Sequence, residues 1–195
     1  MGGVPHDRRP LMVFGVRFAG RDLPGMVDQG DLVAAVELQA QLGSAVRLVE
    51  ADALTEDEIR EDLILIGGPD GNSLTGNVLA RLDGVLSLGF TVDPEHGSSV
   101  YDRKSGFAAS PRYDDAGDPR VDYGLVIRAA NPFAPETAEV VIVAGCGGHG
   151  TAAAAAAFDE AEALGGYRHF EALVETTVFR GAQRDTLVRE ARGIA

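Results

Sequence analysis

The stretch Val140-Val141-Ile142-Val143-Ala144-Gly145-Cys146-Gly147-Gly148-His149-Gly150-Thr151, followed by a run of alanines, constrains this chain more than any other. Its β-branched start reads as a buried strand. A glycine-dense turn follows, and then an alanine-rich helix. Gly145, Gly147 and Gly150 fit G-x-G-x-x-G, placed after a strand and at the opening of a helix, where the motif's mechanism needs it. There, exposed amides and the positive end of the helix make an anion site.

A second unit of the same kind lies upstream. Leu63-Ile64-Leu65-Ile66 is a continuous apolar run suited to a sheet covered on both faces, and Gly67-Gly68-Pro69-Asp70-Gly71-Asn72 follows it. Leu74, Val78, Leu79 and Leu82 then form a helical stripe ending at Gly84. Before these come strand candidates at residues 11–18 and 45–50. Between the two lies a loop over 19–30 and a helix over 31–42, with Asp31 as its cap and Gly43 as its terminator. Thr55 and Glu58 match a capping box opening a short acidic helix.

The first half therefore alternates strand and helix, which predicts a parallel sheet with right-handed crossovers. Residues 85–92 read as a further strand. Residues 93–121 turn polar and rich in glycine and proline, and read as an insertion of hairpin and loop. Val100-Tyr101 would pair with Phe107-Ala108 around Lys104-Ser105-Gly106. Residues 122–128 read as a strand and 131–135 as a turn. Residues 170–179 and 187–194 read as closing strands. The expected fold is a single α/β domain over 1–195: a three-layer Rossmann-like arrangement with a mostly parallel sheet, a hairpin insertion and a loose tail over 1–9.

Charge limits the partners. The formal net charge is -13 over 195 residues, which argues against nucleic acid or an anionic membrane surface. No positively charged region with an apolar core follows Met1, and no apolar run approaches a membrane span, so the expected location is the cytoplasm. The single cysteine excludes an intrachain disulfide.

The two glycine turns supply the candidate ligand-binding residues: Gly67, Gly68, Asp70 and Asn72 in one, and Gly145, Gly147, Gly148, Gly150 and Thr151 in the other. If their strands are adjacent, the carboxyl ends form a crevice of the kind ligands occupy. Asp70 and Asn72 would bind polar groups there or cap the following helix. Against this stands a plainer role: the glycines permit a tight turn and close packing of the alanine helix. The acidic residue a dinucleotide fold places about 20 residues on has no good match in Glu171 or Glu175. Cys146 at a helix start, with His149 three residues on, is a candidate nucleophile pair. His96, His149, Asp114 and Asp115 lack metal-ligand spacing, so no metal site is expected. No Walker lysine follows the glycines, which argues against ATP hydrolysis of the P-loop kind.

Leu63-Ile64-Leu65-Ile66-Gly67-Gly68-Pro69, Asp122-Tyr123-Gly124-Leu125, Asn131-Pro132-Phe133 and the Ala144-Gly145 to Gly150-Thr151-Ala152-Ala153 segment resemble an α/β domain of uncharacterised prokaryotic proteins. Some of those carry helix-turn-helix regions, and archaeal surface-layer proteins have similar segments. The resemblance covers most of the chain after Asp31 through short motifs. It implies a Rossmann-like fold and no particular chemistry. A DNA-binding module has no room here, so a regulator's role does not carry over. The expected function is binding or sensing of a small anionic ligand, a nucleotide among the candidates. The alternatives are a nucleotide-dependent or Cys146-dependent hydrolase or transferase, and a structural or assembly domain whose glycines serve packing alone.

Overall fold

A computed structural model describes residues 10–16, 26–42, 46–93 and 95–194. The expected tail over 1–9, most of the loop over 19–30, Gly43 and Ala45 lie outside these. The parallel part of the sheet is β1 (Leu11–Phe14), β2 (Arg47–Glu50) and β3 (Leu63–Ile66), with α1 (Gln29–Leu42) and α2 (Ser73–Leu82) between and after them. β4 (Leu88–Asp93), β5 (Gly97–Asp102) and β6 (Phe107–Ala109) form a separate antiparallel sheet of three strands. The chain continues through β7 (Arg112–Tyr113), β8 (Pro119–Ala130), β9 (Glu139–Gly145), α3 (Gly148–Ala156), α4 (Phe158–Gly165), β10 (Phe170–Phe179) and β11 (Ala182–Gly193).

The main sheet runs β11-β10-β8-β9-β3-β1-β2, with β7 on β8. Only β2, β1, β3 and β9 are parallel to their neighbours in that order; β8, β10 and β11 join antiparallel, as does β7. This corrects the expectation of a mostly parallel sheet: the sheet is mixed. The reason is connection length. Residues 131–138 alone link β8 to β9, and the pair Arg180-Gly181 alone links β10 to β11. A parallel return needs a crossover of about a dozen residues or more.

Strand alternation sends side chains to two cores. Leu11, Val13, Leu63, Leu65, Val140 and Ile142 face one cluster, which α2 completes with Leu74, Val78 and Leu82. Met12, Ile64, Ile66 and Val143 face the other, with Ala34, Ala35 and Leu38 of α1, Ala153, Ala154 and Ala155 of α3, and Phe158 of α4. Both faces of the sheet are thus covered. No helix among the described residues is long and apolar enough to cross a membrane.

The hairpin expected within 93–121 is present: Tyr101 pairs with Ala108, and Asp102 with Phe107. It is more than a surface insertion, however. β4 joins it, and Val100 and Leu88 enter the first core cluster. Its sequence looks polar because Ser98 and Asp102 are themselves buried. Two helix expectations also shift. Asp28, not Asp31, caps α1, its carboxylate accepting from the Gly30 amide at 2.7 Å. Thr55 and Glu58 do form the reciprocal capping bonds, but they open only a 3-10 turn at Glu58–Arg60.

Candidate functional site

β3 and β9 are neighbours, with Leu63 opposite Val140 and Ile66 opposite Val143. Their carboxyl ends therefore bring the two glycine turns together, and the end of β1 adds Gly15 beside them. Gly67 sits at φ +96, in the left-handed region, and a Cβ there would lie 2.7 Å from a carboxylate oxygen of Asp31. A Cβ on Gly68 would lie 2.7 Å from the Gly145 carbonyl, so the turns touch through backbone. Between them is a crevice of about 40 Å³ lined by Gly15, Asp28, Asp31, Gly68, Asp70, Gly71, Gly145, Cys146, Gly147, Gly148 and Thr151. Asp28 and Gly148 also line a neighbouring cleft of about 380 Å³, whose other walls are Gln29, Gly30, Val33, His149, Ala152, Gly181 and Gln183. The second wall of that cleft is thus the β10–β11 tip. No described residue of 93–121 lines either space.

Several predicted site residues are occupied by the fold itself. Asn72 is fully buried; its side-chain oxygen accepts from the Leu74 and Thr75 amides, and its amide donates to the Val13 and Ile66 carbonyls. It caps α2 and pins the ends of β1 and β3, with no capacity left for a ligand. Thr151 is buried, its amide donating to the Gly147 carbonyl at 3.1 Å. Gly147 has φ -139, an extended conformation open to any residue.

The start of α3 already holds an anion, and it belongs to the chain. Asp122, in β8, accepts from the Gly150 amide at 2.7 Å and from the Tyr123 amide at 2.8 Å. Burial pushes its carboxyl up, partly offset by the amides of Gly150, Tyr123 and Gly147 and by His149. Sequence reading missed this role because Asp122 and Gly150 are 28 residues apart. The available signal was an acidic residue opening the apolar run Tyr123-Gly124-Leu125-Val126-Ile127. Asp28, Gln29 and Gln183 were missed as cleft walls for the same reason: nothing in their local pattern marks them.

The helix start does not activate Cys146. Burial, then the carboxylates of Asp122 and Asp70, push its thiol well above the usual range. Its amide donates to the Tyr123 carbonyl at 2.8 Å, tying the turn to β8. His149 lines the larger cleft, and its carbonyl accepts from the Gln183 side chain at 2.6 Å. In the folded protein Cys146 is expected to react with iodoacetamide at neutral pH far more slowly than a free cysteine, and to gain its full rate only in denaturant. Fast labelling of the native chain, lost on His149→Ala, would restore the nucleophile reading.

The chain matches no family model and no curated protein sequence. What the edge can do must therefore be read from its own chemistry. Asp28, Asp31 and Asp70 line the crevice, Asp31 and Asp70 being already engaged within the protein, and among the described residues no lysine or arginine lines it or the cleft. Among the described residues no three His, Cys, Asp or Glu side chains gather as a metal site.

Proposed function

We propose that this domain binds a small molecule in the cleft between the start of α1, the start of α3 and the β10–β11 tip, with one end of the ligand reaching the glycine crevice. The observation that carries this reading is the convergence of the β1, β3 and β9 turns on one edge that opens into a polar cleft of about 380 Å³. That is the place and size at which α/β sheets hold ligands. We read the parallel half, β2-β1-β3-β9, as the Rossmann-like part of the fold; the antiparallel half departs from it.

The ligand's charge differs from the sequence expectation. An anion entering the crevice meets Asp28, with Asp122 behind it, on a chain of net charge -13. The α3 amide of Gly150 is committed to Asp122. A neutral polyol or amide, or a cation such as an amine, suits the Asp28 carboxylate and the Gln29 and Gln183 side chains better than a phosphate does. Melting curves with sugars, polyols, amino acids, polyamines and nucleotides test this. A neutral or cationic class should raise the midpoint in a concentration-dependent way, and Asp28→Asn with Gln183→Ala should remove the rise. Stabilisation by nucleotides alone would reject the reading.

A second reading rests on a separate observation. A Cβ at Gly15, Gly124, Gly145 or Gly150 would come within 3.0 Å of neighbouring backbone. Packing alone accounts for glycine at these positions, so the motif does not require a ligand. If no class in the panel binds the folded protein, the structural or assembly reading takes its place.

A further inference from the structure

We infer that the β10–β11 tip is a docking surface for a second copy of this chain, and that copies associate side by side through opposite charges. Three arginines surround one exposed aromatic ring there. The guanidinium carbons of Arg180, Arg120 and Arg184 lie 5.3, 5.8 and 5.8 Å from the centre of the Phe179 ring, which is 46% exposed. Arg120 pairs with Asp114 at 2.5 Å. Arg180 and Arg184 are exposed and have no ion pair among the described residues, which they share with Arg60, Arg81 and Arg112, whereas Arg47, Arg103, Arg128, Arg168, Arg189 and Arg192 are paired. The tip thus carries two arginines without an ion pair, beside Arg120 paired to Asp114 and exposed Asp185, on a strongly acidic molecule.

The backbone shows that the fold does not ask for arginine at this place. Arg180 has φ 52 and Gly181 φ 73, the two left-handed positions of a type I′ turn. Asn, Asp or Gly is favoured at the first of these, and a larger side chain is strained there. Arg180 is held in that conformation with its charge against Phe179. Gly181 and Gln183 wall the ligand cleft, whereas Arg180 and Arg184 do not, so this surface adjoins the proposed binding site without sharing its lining residues.

Charge complementarity selects the occupant. At the opposite end of the sheet, β2 leads into exposed Asp52, Glu56 and Asp57, none of which has an ion pair among the described residues. From β10 to β2 is five strand steps, roughly 25 Å at about 4.8 Å each, too far for the two patches to meet within one molecule. Arginine forks match carboxylates, and the Phe179 ring supplies an apolar contact between them. A contact between two different patches is heterologous and builds rings or open chains.

Sedimentation velocity of the whole chain tests the inference. Self-association should appear at low ionic strength and weaken at least tenfold near 0.5 M salt, where the screening length is only a few ångströms. Arg180→Glu with Arg184→Glu should be monomeric, and so should Asp52→Arg with Glu56→Arg and Asp57→Arg. Mixing the two variants should restore a complex, because each then offers the charge the other lacks. Circular dichroism checks that both remain folded; if the tip variant does not, Arg180→Asn with Arg184→Gln replaces it, and if the acidic-patch variant does not, Asp52→Asn with Glu56→Gln and Asp57→Asn replaces it; either replacement should also abolish association. A monomer at every salt concentration overturns the inference. So does association indifferent to salt and to the substitutions, which would place the contact on the exposed Leu32, Val33 and Val36 of α1.

Discussion

Gly150→Ala is expected to lower stability by about 3 kcal/mol or more, shifting the melting midpoint down by roughly 10 °C for a chain of this size. The added Cβ would come within 3.0 Å of the Tyr123 carbonyl oxygen and carbon, and 3.1 Å from the Asp122 carboxyl carbon. Neither obstacle can rotate away: the first is strand backbone and the second is held by two amides. α3 can relieve the overlap only by lifting off β8. That would also part Ala154 from Gly124 and loosen the buried row Ala152, Ala153, Ala154 and Ala155. Gly147→Ala is the internal control. Its Cβ would lie 2.9 Å from a side-chain oxygen of Asp122, its backbone is extended, and its cost should stay near 1 kcal/mol. Denaturant unfolding of both variants gives the comparison. Equal and small losses would mean that α3 is not tightly seated, and the packing account of the motif would be wrong.

That account also explains which parts of the fold were legible in the sequence. Elements fixed by local pattern were readable: β10 spans Phe170–Phe179 as its apolar run suggests, and Tyr101 pairs with Ala108 across the Lys104–Gly106 bend. Strand direction was misjudged, although the signal was present. The turn read at 131–135 is too short for a crossover and by itself requires β8 and β9 to be antiparallel. Alternation in the first half was extended to a second half that lacks helices between β8 and β9 or between β10 and β11. The site was half legible. The glycine turns were found and do meet, because strand–turn–helix units leave a periodic trace. Their electrostatics were not, because a helix start attracts an external anion only if the fold leaves its amides uncommitted. Asp122 commits one from a strand far away in sequence.

A larger consequence of such long-range polar pairing lies on the other face of the sheet. Glu171 is 1% exposed, and one of its carboxylate oxygens accepts from the Ser87 and Leu88 amides at 2.8 and 2.9 Å, where β4 begins. Its other oxygen faces the Arg192 Nε at 3.2 Å, and Arg192 reaches the buried Asp102 carboxylate at 2.9 Å. β4, β5, β10 and β11 are thus joined by one buried charge network. Glu171→Ala is expected to cost about 3 to 5 kcal/mol, since it leaves two buried amides without an acceptor and Arg192 with half its counter-charge. Glu171→Gln, which keeps an acceptor for the amides, should lose less. The network also sets a pH dependence. Burial alone would push the Asp102 carboxyl up, but the Ser105 hydroxyl, Arg192 and the Lys104 amide outweigh it and hold the group below its ordinary 3.8. A carboxyl whose folded value is depressed contributes stability above its unfolded value and loses it as pH falls through the folded one. Asp102→Asn should therefore destabilise the protein at neutral pH, and the gap from wild type should narrow as pH drops from about 4 towards the depressed folded value. Urea unfolding across that range decides the matter. A gap independent of pH would mean that Asp102 acts by hydrogen bonding alone. A Glu171→Ala loss below about 1 kcal/mol would mean that the small sheet is held by its apolar contacts, Leu88 and Val100, and not by the charges beneath it.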